Sequence, residues 1–131
     1  MIGLDTNVVL RLLLNDDPTQ NSRVDALLDE HGQTAGALLV SDVVLAEVFW
    51  TLRSAYAQDK KSLLLALHGL LDEPSIAFES REVVQTAVEQ FAHSKCGFVD
   101  CLVTAKNAGL GAEFTATFDR RMAKLPGVRL I

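Results

Sequence analysis

The sequence predicts an α/β fold of three layers, α/β/α, built around a mainly parallel five-stranded sheet. Short apolar runs with the character of buried strands alternate along the chain with longer segments of helical periodicity. The 131 residues, 49% of them hydrophobic, are enough for a sizeable core. No repeat, low-complexity tract or flexible linker interrupts them, so we expect a single domain over residues 1–131.

The first part of the chain contains two predicted strands and four predicted helices. The opening apolar run stops at Asp5, and Thr6 or Asn7 can cap the helix that follows. Pro18 suits the first turn of the second helix. The other predicted elements are a strand over 37–40, a helix over 43–56 that Ser41 or Asp42 can cap, and a leucine-rich helix over 61–71.

The second part of the chain contains three predicted strands and two predicted helices. Ser80 can cap the first of these helices, and Gly109 and Gly111 end the second. Strands that are separated by helices favour parallel pairing. The predicted elements are strands over 76–78, 114–118 and 128–131 and helices over 80–93 and 98–108.

The net charge of −5 limits the kinds of partner that the chain can bind. Proteins that coat nucleic acid present a basic surface, so this charge argues against a non-specific coat. It does not exclude a nuclease whose metal ions neutralise both its carboxylates and its substrate. The chain shows neither a signal peptide nor an apolar run that would span a bilayer, so we expect a cytoplasmic protein without membrane association.

Cys96 and Cys101 are predicted to be small core residues. Five positions apart on one predicted helix, they point in different directions, which argues against a mutual disulfide. The three histidines are scattered, so the chain offers no zinc ligand cluster.

Two carboxylates, Asp5 and Asp119, each follow a predicted strand. In parallel α/β sheets, binding sites gather outside the carboxyl ends of the strands. The alternative for each residue is a structural cap. Asp5 could cap the helix that begins near Asn7, and Asp119 could cap a short helix over 120–124.

Two more carboxylates, Glu47 and Asp100, interrupt apolar helices. Glu47 lies in a helix that is apolar on nearly every side, so it is expected to be poorly solvated, and a buried unpaired carboxylate is costly. The alternative is a helix rotated so that Glu47 faces water. For Asp100, the alternative is a first-turn acid that the helix dipole favours, with Gly97 marking the start of the helix.

The four acids together are harder to explain by folding alone. If the sheet gathered them, their mutual repulsion would destabilise the fold unless cations bound. Carboxylate oxygens suit Mg²⁺, and Mn²⁺ should substitute for it. Such ions can activate water and stabilise the charge that develops in phosphodiester hydrolysis. The hypothesis is that Asp5, Asp100 and Asp119 hold the metal, while Glu47 binds it directly or through water and orients the attacking water.

The motifs that carry these acids resemble those of the PIN-domain nucleases, and most of all the VapC-type toxins of bacterial toxin–antitoxin pairs. The similarity covers essentially the whole chain in order and spacing. The motifs are Leu4-Asp5-Thr6-Asn7-Val8, Glu47 within its apolar helix, Phe98-Val99-Asp100-Cys101-Leu102 and Thr117-Phe118-Asp119, followed by a closing stretch to Val128.

The resemblance implies a PIN-like fold and a Mg²⁺-dependent endoribonuclease. It also implies a homodimer that is silenced by a small antitoxin protein covering the acidic groove. One departure is Gly97, where many relatives carry an extra acid, which puts the strength of a second metal site in doubt. The residues carried over are Asp5, Glu47, Asp100 and Asp119 as catalytic metal ligands and Thr6, Asn7 and Thr117 as supporting polar groups.

Contacts to the RNA substrate are expected from basic residues near the acids. Arg11 follows Asp5 by about two helical turns, and the cations Arg120, Arg121 and Lys124 follow Asp119. The alternative for each is an ordinary solvated cation. The aromatic residues Phe49, Trp50 and Tyr56 could stack a base, but packing in the core or at an interface is favoured. The leucine-rich helix has more apolar surface than one core face needs, which predicts an interface with a second copy or an antitoxin helix.

Two other functions fit parts of the pattern. In a phosphatase or phospho-acceptor domain, an Asp at the end of the first strand accepts a phosphoryl group. The phosphatase needs a second acid two residues later, where this chain has Asn7, and Lys124 is poorly placed as the lysine of a phospho-acceptor. A catalytically silent PIN-fold interaction module is the remaining alternative, and the presence of all four acids counts against it.

Overall fold

The structure, a computed structural model, describes residues 1–131 and divides them into two compact units. The first unit comprises Met1–Glu79 and the second comprises Ser80–Ile131. None of the helices is both long enough and apolar enough to cross a bilayer.

The first unit is a three-stranded parallel sheet with four helices. The strand order is β1-β2-β3, with Ile2 opposite Leu38 and Leu38 opposite Ile76. Parallel neighbours need long crossover connections, and the helices supply them. The elements are β1 (Ile2–Gly3), α1 (Thr6–Leu13), α2 (Pro18–His31), β2 (Leu38–Val40), α3 (Asp42–Ser54), α4 (Lys60–Asp72) and β3 (Ile76–Phe78).

Side-chain caps start three of these helices. The carboxylate of Asp17 accepts a hydrogen bond from the backbone N–H of Gln20, and Pro18 takes the first helical position. The hydroxyl of Ser41 begins α3 and the carboxylate of Asp59 begins α4 in the same way. Each cap satisfies a backbone donor that the first helical turn leaves without a partner.

The core of the first unit lies between the sheet and its helices. The buried face of α3 carries residues at helical spacing, and the leucine-rich helix α4 turns most of its leucines inward. Burial of these side chains is the main force that holds the unit together. The buried residues include Val9, Leu10, Leu38, Val40, Leu45, Val48, Phe49, Leu52, Leu63, Leu67, Leu70 and Leu71.

The second unit pairs two helices with two parallel strands. Val84, Ala87 and Val88 are buried on one helix, and the rings of Phe91 and Phe98 meet edge to face with their centroids 6.0 Å apart. The elements are α5 (Arg81–His93), α6 (Phe98–Gly109), β4 (Thr115–Thr117), a 3₁₀ turn (Met122–Lys124) and β5 (Val128–Leu130).

The α/β class with parallel pairing is confirmed, and all five predicted strands are present. They form a sheet of three and a separate pair, β4 with β5, and not one five-stranded sheet. Both cysteines are free and buried, as expected. A single domain over residues 1–131 stays a prediction.

Candidate active site

Polar residues line the carboxyl edge of the three-stranded sheet. Continuing the register beyond the strands places Asp5 beside Ser41, and Ser41 beside Glu79. The backbone N–H of Leu4 still donates to the carbonyl of Leu39 at 2.9 Å, so the pairing extends almost to Asp5. This edge is where a parallel sheet is expected to hold its ligands.

Asp5 takes the N-cap position of α1 but does not cap it with its side chain. Its backbone is extended, and its carbonyl accepts from the N–H groups of Val8 and Val9, yet its carboxylate makes no capping hydrogen bond. The side chain is exposed. The carboxylate of Asp5 therefore does not cap the helix, and it remains available to bind a cation.

Glu47 is tied to α1 through Thr6. The Thr6 hydroxyl Oγ1 donates to Oε2 of Glu47 at 2.6 Å, a hydrogen bond between residues 41 positions apart in the sequence. This contact fixes one carboxylate oxygen and leaves Oε1 outside it. Thr6 is therefore hydrogen-bonded to Glu47, and its role as a supporting polar group of a metal site stays a prediction. Asn7, another expected supporting group, is exposed.

The prediction that Glu47 would be poorly solvated is wrong. Glu47 is exposed, and its helical neighbours Val43 and Trp50 are 70% and 62% exposed. The helix has one apolar face towards the core and a second, partly apolar face towards water. Composition alone does not show which of the two faces is buried. Of the aromatic residues near Glu47, Phe49 packs in the core.

Two further carboxylates at this edge escaped the sequence analysis. Glu79 directly follows β3, as Asp5 follows β1 by two residues, and its Oε1 accepts from the backbone N–H of Asp42 at 3.3 Å. Asp42 is buried in the first turn of α3. The same signal that singled out Asp5, an acid at the end of a strand, could have found Glu79.

In the second unit, Asp119 does cap a turn. Its Oδ1 accepts from the backbone N–H groups of Arg121, at 2.8 Å, and Met122, at 3.3 Å. The Thr117 hydroxyl in turn accepts from the N–H of Asp119 at 3.0 Å. Asp119 is exposed, so its other oxygen, Oδ2, remains for a cation or a water molecule.

Asp100 lies in the first turn of α6 and is half-buried. The hydroxyl Oγ1 of Thr104, one turn later, donates a hydrogen bond to the backbone carbonyl oxygen of Asp100 at 2.9 Å. Gly97 takes the N-cap position, so no side chain caps this helix. A carboxylate in the first turn interacts favourably with the helix dipole whether or not it also binds a metal.

The charges of Asp100 and Asp119 act on the pKa of a buried thiol, Cys96. Burial is the main cause that raises the pKa of Cys96, and a hydrogen bond from Ser94 opposes the shift. The negative charges of Asp100 and Asp119 raise this pKa further, while Arg121 lowers it. These three charged groups are therefore near enough to one thiol for their charges to act on its pKa.

The cations proposed for phosphate contacts differ in their surroundings. Arg11 is ion-paired with Asp16 and donates from Nη2 to the Tyr56 hydroxyl at 3.2 Å, a bond that raises the pKa of Arg11. Its charge is thus already engaged within the first unit. Arg120 and Arg121 are exposed and form no ion pair.

Charge is divided unevenly between the two units. Residues 1–79 contain twelve acidic and five basic side chains, a net charge of −7. Residues 80–131 contain five acidic and seven basic side chains, a net charge of +2. The overall −5 therefore belongs to the first unit, and the second unit is mildly basic.

The donors available for a metal ion are carboxylate oxygens. No group of three or more His, Cys, Asp or Glu side chains is already arranged around a common point. Exposed, hard oxygen donors such as those of Asp5, Glu47 and Asp119 fit Mg²⁺ or Mn²⁺ and do not fit a soft metal. The chemistry of the residues thus agrees with the expected metal, and the set of ligands stays a prediction.

Comparison with known proteins shows the family of the chain. Residues 2–128 match the PIN domain, so the chain belongs to the PIN domain family. It is also similar to a VapC ribonuclease of Aquifex aeolicus (strain VF5), with 23% identity over 122 residues, 93% of this chain and 90% of that protein. No solved structure matches.

Proposed function

We propose that this protein is a Mg²⁺-dependent endoribonuclease and the toxin of a toxin–antitoxin pair. Membership of the PIN domain family and similarity to a VapC ribonuclease support a nuclease. The observation that carries the proposal is the state of Asp5. Its carboxylate lies at the carboxyl edge of the sheet and makes no capping hydrogen bond, and Thr6, the next residue along the chain, donates a hydrogen bond to Glu47.

The proposed metal ligands are the four acids of the sequence motifs. Asp5 and Glu47 supply carboxylates from the first unit, and Asp100 and Asp119 supply them from the second. A bound Mg²⁺ would neutralise charge on the phosphodiester and make water more acidic. We assign Mn²⁺ as a working substitute because it prefers the same oxygen donors.

The chain's own residues orient the reactants. Thr6 fixes Oε2 of Glu47, so Oε1 can accept a hydrogen bond from the attacking water. That water adds to phosphorus in line with the bond between phosphorus and the 3′ oxygen and releases a proton to solvent. The bond to the 3′ oxygen breaks, and this oxygen takes up a proton from solvent and leaves as a hydroxyl group. Thr117 supports the turn that holds Asp119. No side-chain nucleophile is required, and the buried thiol of Cys96, with its raised pKa, is a poor one.

The test compares conservative variants of the acids. We expect Asp5→Asn and Asp100→Asn each to lower Mg²⁺-dependent RNA cleavage by at least about 100-fold, because an amide loses the charge that holds the ion. Asp25→Asn is the matched control, an exposed acid of α2 outside the proposed site. Cleavage should stop in EDTA and return with Mg²⁺ or Mn²⁺. Equal activity of Asp5→Asn and the control would refute the proposal.

The proposed partners are a second copy of the chain and a small antitoxin. Exposed apolar side chains on two helices, Val43 and Trp50 of α3 and Leu65 of α4, support a protein interface. Expression of this chain alone should arrest growth, and co-expression of the protein encoded beside it should relieve the arrest. Unimpaired growth in both cases would contradict the role of a toxin.

The alternative is a catalytically silent interaction module with the same fold. Such a module has no need for the carboxylates of Asp5 and Glu47 to stay exposed. The same assay separates the two. A silent module would show no cleavage in Mg²⁺ or Mn²⁺ and no thermal stabilisation by either ion that depends on Asp100.

A further inference from the structure

The second unit contains a small cavity, bordered by polar and basic residues, that the four-acid site does not use. Its volume is about 260 Å³, and its lining consists of His93, Ser94, Lys95, Arg121 and Lys124. Three of these five residues carry a permanent positive charge and none is acidic. At about 30 Å³ for each water molecule, the cavity has room for a phosphate group and part of its hydration shell.

The cations of this cavity have no partner in the protein. Lys95, Arg121 and Lys124 are exposed, and none of them has a carboxylate at ion-pair distance. His93 donates from Nδ1 to the carbonyl oxygen of Glu89 at 2.9 Å, because a carbonyl only accepts. Its Nε2 makes no hydrogen bond within the chain. The cavity therefore concentrates positive charge that the fold itself does not neutralise.

The cavity adjoins the acids of the second unit. Arg121 donates its backbone N–H to Asp119, and Ser94 contacts the backbone N–H of Cys96 at 3.3 Å. Cys96 is the thiol whose pKa responds to Asp100, Asp119 and Arg121. The lining of the cavity thus includes residues of the turn that Asp119 caps and Ser94, which is hydrogen-bonded to Cys96.

Helix stabilisation explains only part of this cluster. His93 is in the last turn of α5, where a positive charge interacts favourably with the helix dipole. Lys95 lies beyond that helix. Arg121 and Lys124 belong to a different segment, the turn after β4, and do not need to face the end of α5 to stabilise it. A shared ligand accounts for all of them at once.

We propose that this cavity binds a backbone phosphate of the RNA next to the one that is cleaved. The inference rests on the proposed ribonuclease function and adds a substrate subsite to it. A guanidinium and two ammonium groups around one cavity match the charge and hydrogen-bonding capacity of a phosphate. The net charge of +2 makes this unit the part of the chain that an RNA would approach.

The test measures binding separately from cleavage. A short fluorescent single-stranded RNA is titrated, in EDTA and at several salt concentrations, with full-length protein carrying Asp5→Asn. We compare the Asp5→Asn protein with a cavity variant that carries Lys95→Gln and Lys124→Gln in addition to Asp5→Asn. We expect binding about tenfold weaker and a salt slope smaller by about 0.7, which is the contribution of one neutralised phosphate of a single strand.

The matched control changes two exposed cations of the first unit, Arg53→Gln and Lys61→Gln, with the same loss of charge. It should leave the salt slope unchanged. A single-stranded DNA of the same sequence should lose affinity to the same extent as RNA in the cavity variant, because a phosphate subsite does not read the sugar. All the substituted residues are exposed, so the variants should fold, which circular dichroism checks.

The outcomes distinguish this inference from the nuclease proposal. An unchanged slope in the cavity variant, or an equal loss in the control pair, overturns the phosphate subsite even if the wild-type protein cleaves RNA. A weakened affinity for polyglutamate with unchanged RNA binding also overturns it and makes the cavity a contact for an acidic protein. A reduced slope in a protein that never cleaves RNA supports the subsite and refutes the nuclease.

Discussion

The two units hold their acids in opposite ways. In the first unit, Asp5 makes no side-chain cap and Glu47 has Thr6 as its hydrogen-bond donor, in surroundings with a net charge of −7. In the second unit, the carboxylate of Asp119 is occupied by two backbone donors and lies beside an unpaired arginine, in surroundings of +2. The first arrangement favours a cation. The second also suits an anionic substrate, which the overall charge conceals.

The largest effect should come from Asp119, where the comparison separates a structural role from a catalytic one. Asp119→Ala removes both the cap and the charge, while Asp119→Ser keeps an oxygen that can accept from the turn. We expect both variants to lose at least about 100-fold in Mg²⁺-dependent cleavage. Only the alanine variant should also lose stability, by about 1 kcal/mol. RNA cleavage and urea denaturation measure the two effects.

Asp119 is not a metal ligand if the serine variant keeps its activity. In that case the charge is dispensable and the carboxylate only shapes the turn of Arg121 and Met122. Asp16→Ala is no suitable control, since Asp16 pairs with Arg11. Asp72→Ala, at an exposed position near the end of α4, is a better one and should change neither quantity appreciably.

A smaller effect is expected from Thr6, which touches Glu47 and not the substrate. Thr6→Val preserves the shape of the side chain and removes its donor, so Glu47 loses its only fixed oxygen. Removing a residue that orients a metal ligand lowers affinity or activity by about tenfold or more. We expect the Mg²⁺ concentration for half-maximal cleavage to rise by about tenfold.

Thr6→Ser restores the hydroxyl and should recover most of the loss. The free energy of unfolding should change little in either variant, because Glu47 is exposed. A valine variant with the wild-type dependence on Mg²⁺ would show that the Thr6–Glu47 bond does not position Glu47 for metal binding.

The smallest effect is a dependence of stability on alkaline pH through Cys96. Burial raises the pKa of this thiol in the folded protein, so the unfolded chain releases its proton at lower pH. The contribution of the buried neutral thiol is complete below the unfolded thiol pKa of about 8.5 and is lost as the pH rises through the folded pKa. The free energy of unfolding should fall by up to about 1.4 kcal/mol per pH unit in that range.

Cys96→Ala removes this part of the pH dependence, so the comparison is between slopes and not between absolute stabilities. Chemical denaturation of both proteins from neutral pH to above the thiol pKa measures it. Parallel curves for the wild type and Cys96→Ala would mean that the thiol ionises equally in the folded and unfolded chains. In that case burial and the charges of Asp100 and Asp119 do not act on it.

The sequence by itself determined the local features of this protein. Apolar runs predicted all five strands, and the alternation of strands with helices predicted their parallel pairing. Both predictions use only the pattern of residues along the chain. The acids at strand ends and the motifs around them led to the PIN domain family, which residues 2–128 confirm. The prediction of buried, unbridged cysteines agrees with the structure, although Cys96 lies before α6 and does not share a helix with Cys101.

Only the tertiary structure decided which groups meet. It separated the five strands into a sheet of three and a pair, turned Glu47 towards water and joined it to Thr6 across 41 positions. It engaged Arg11 with Asp16 and Tyr56. It also gathered His93 and Lys95 with Arg121 and Lys124 around one cavity. These outcomes depend on packing between distant segments, and a single sequence shows the periodicity of each segment but not the neighbour that it selects.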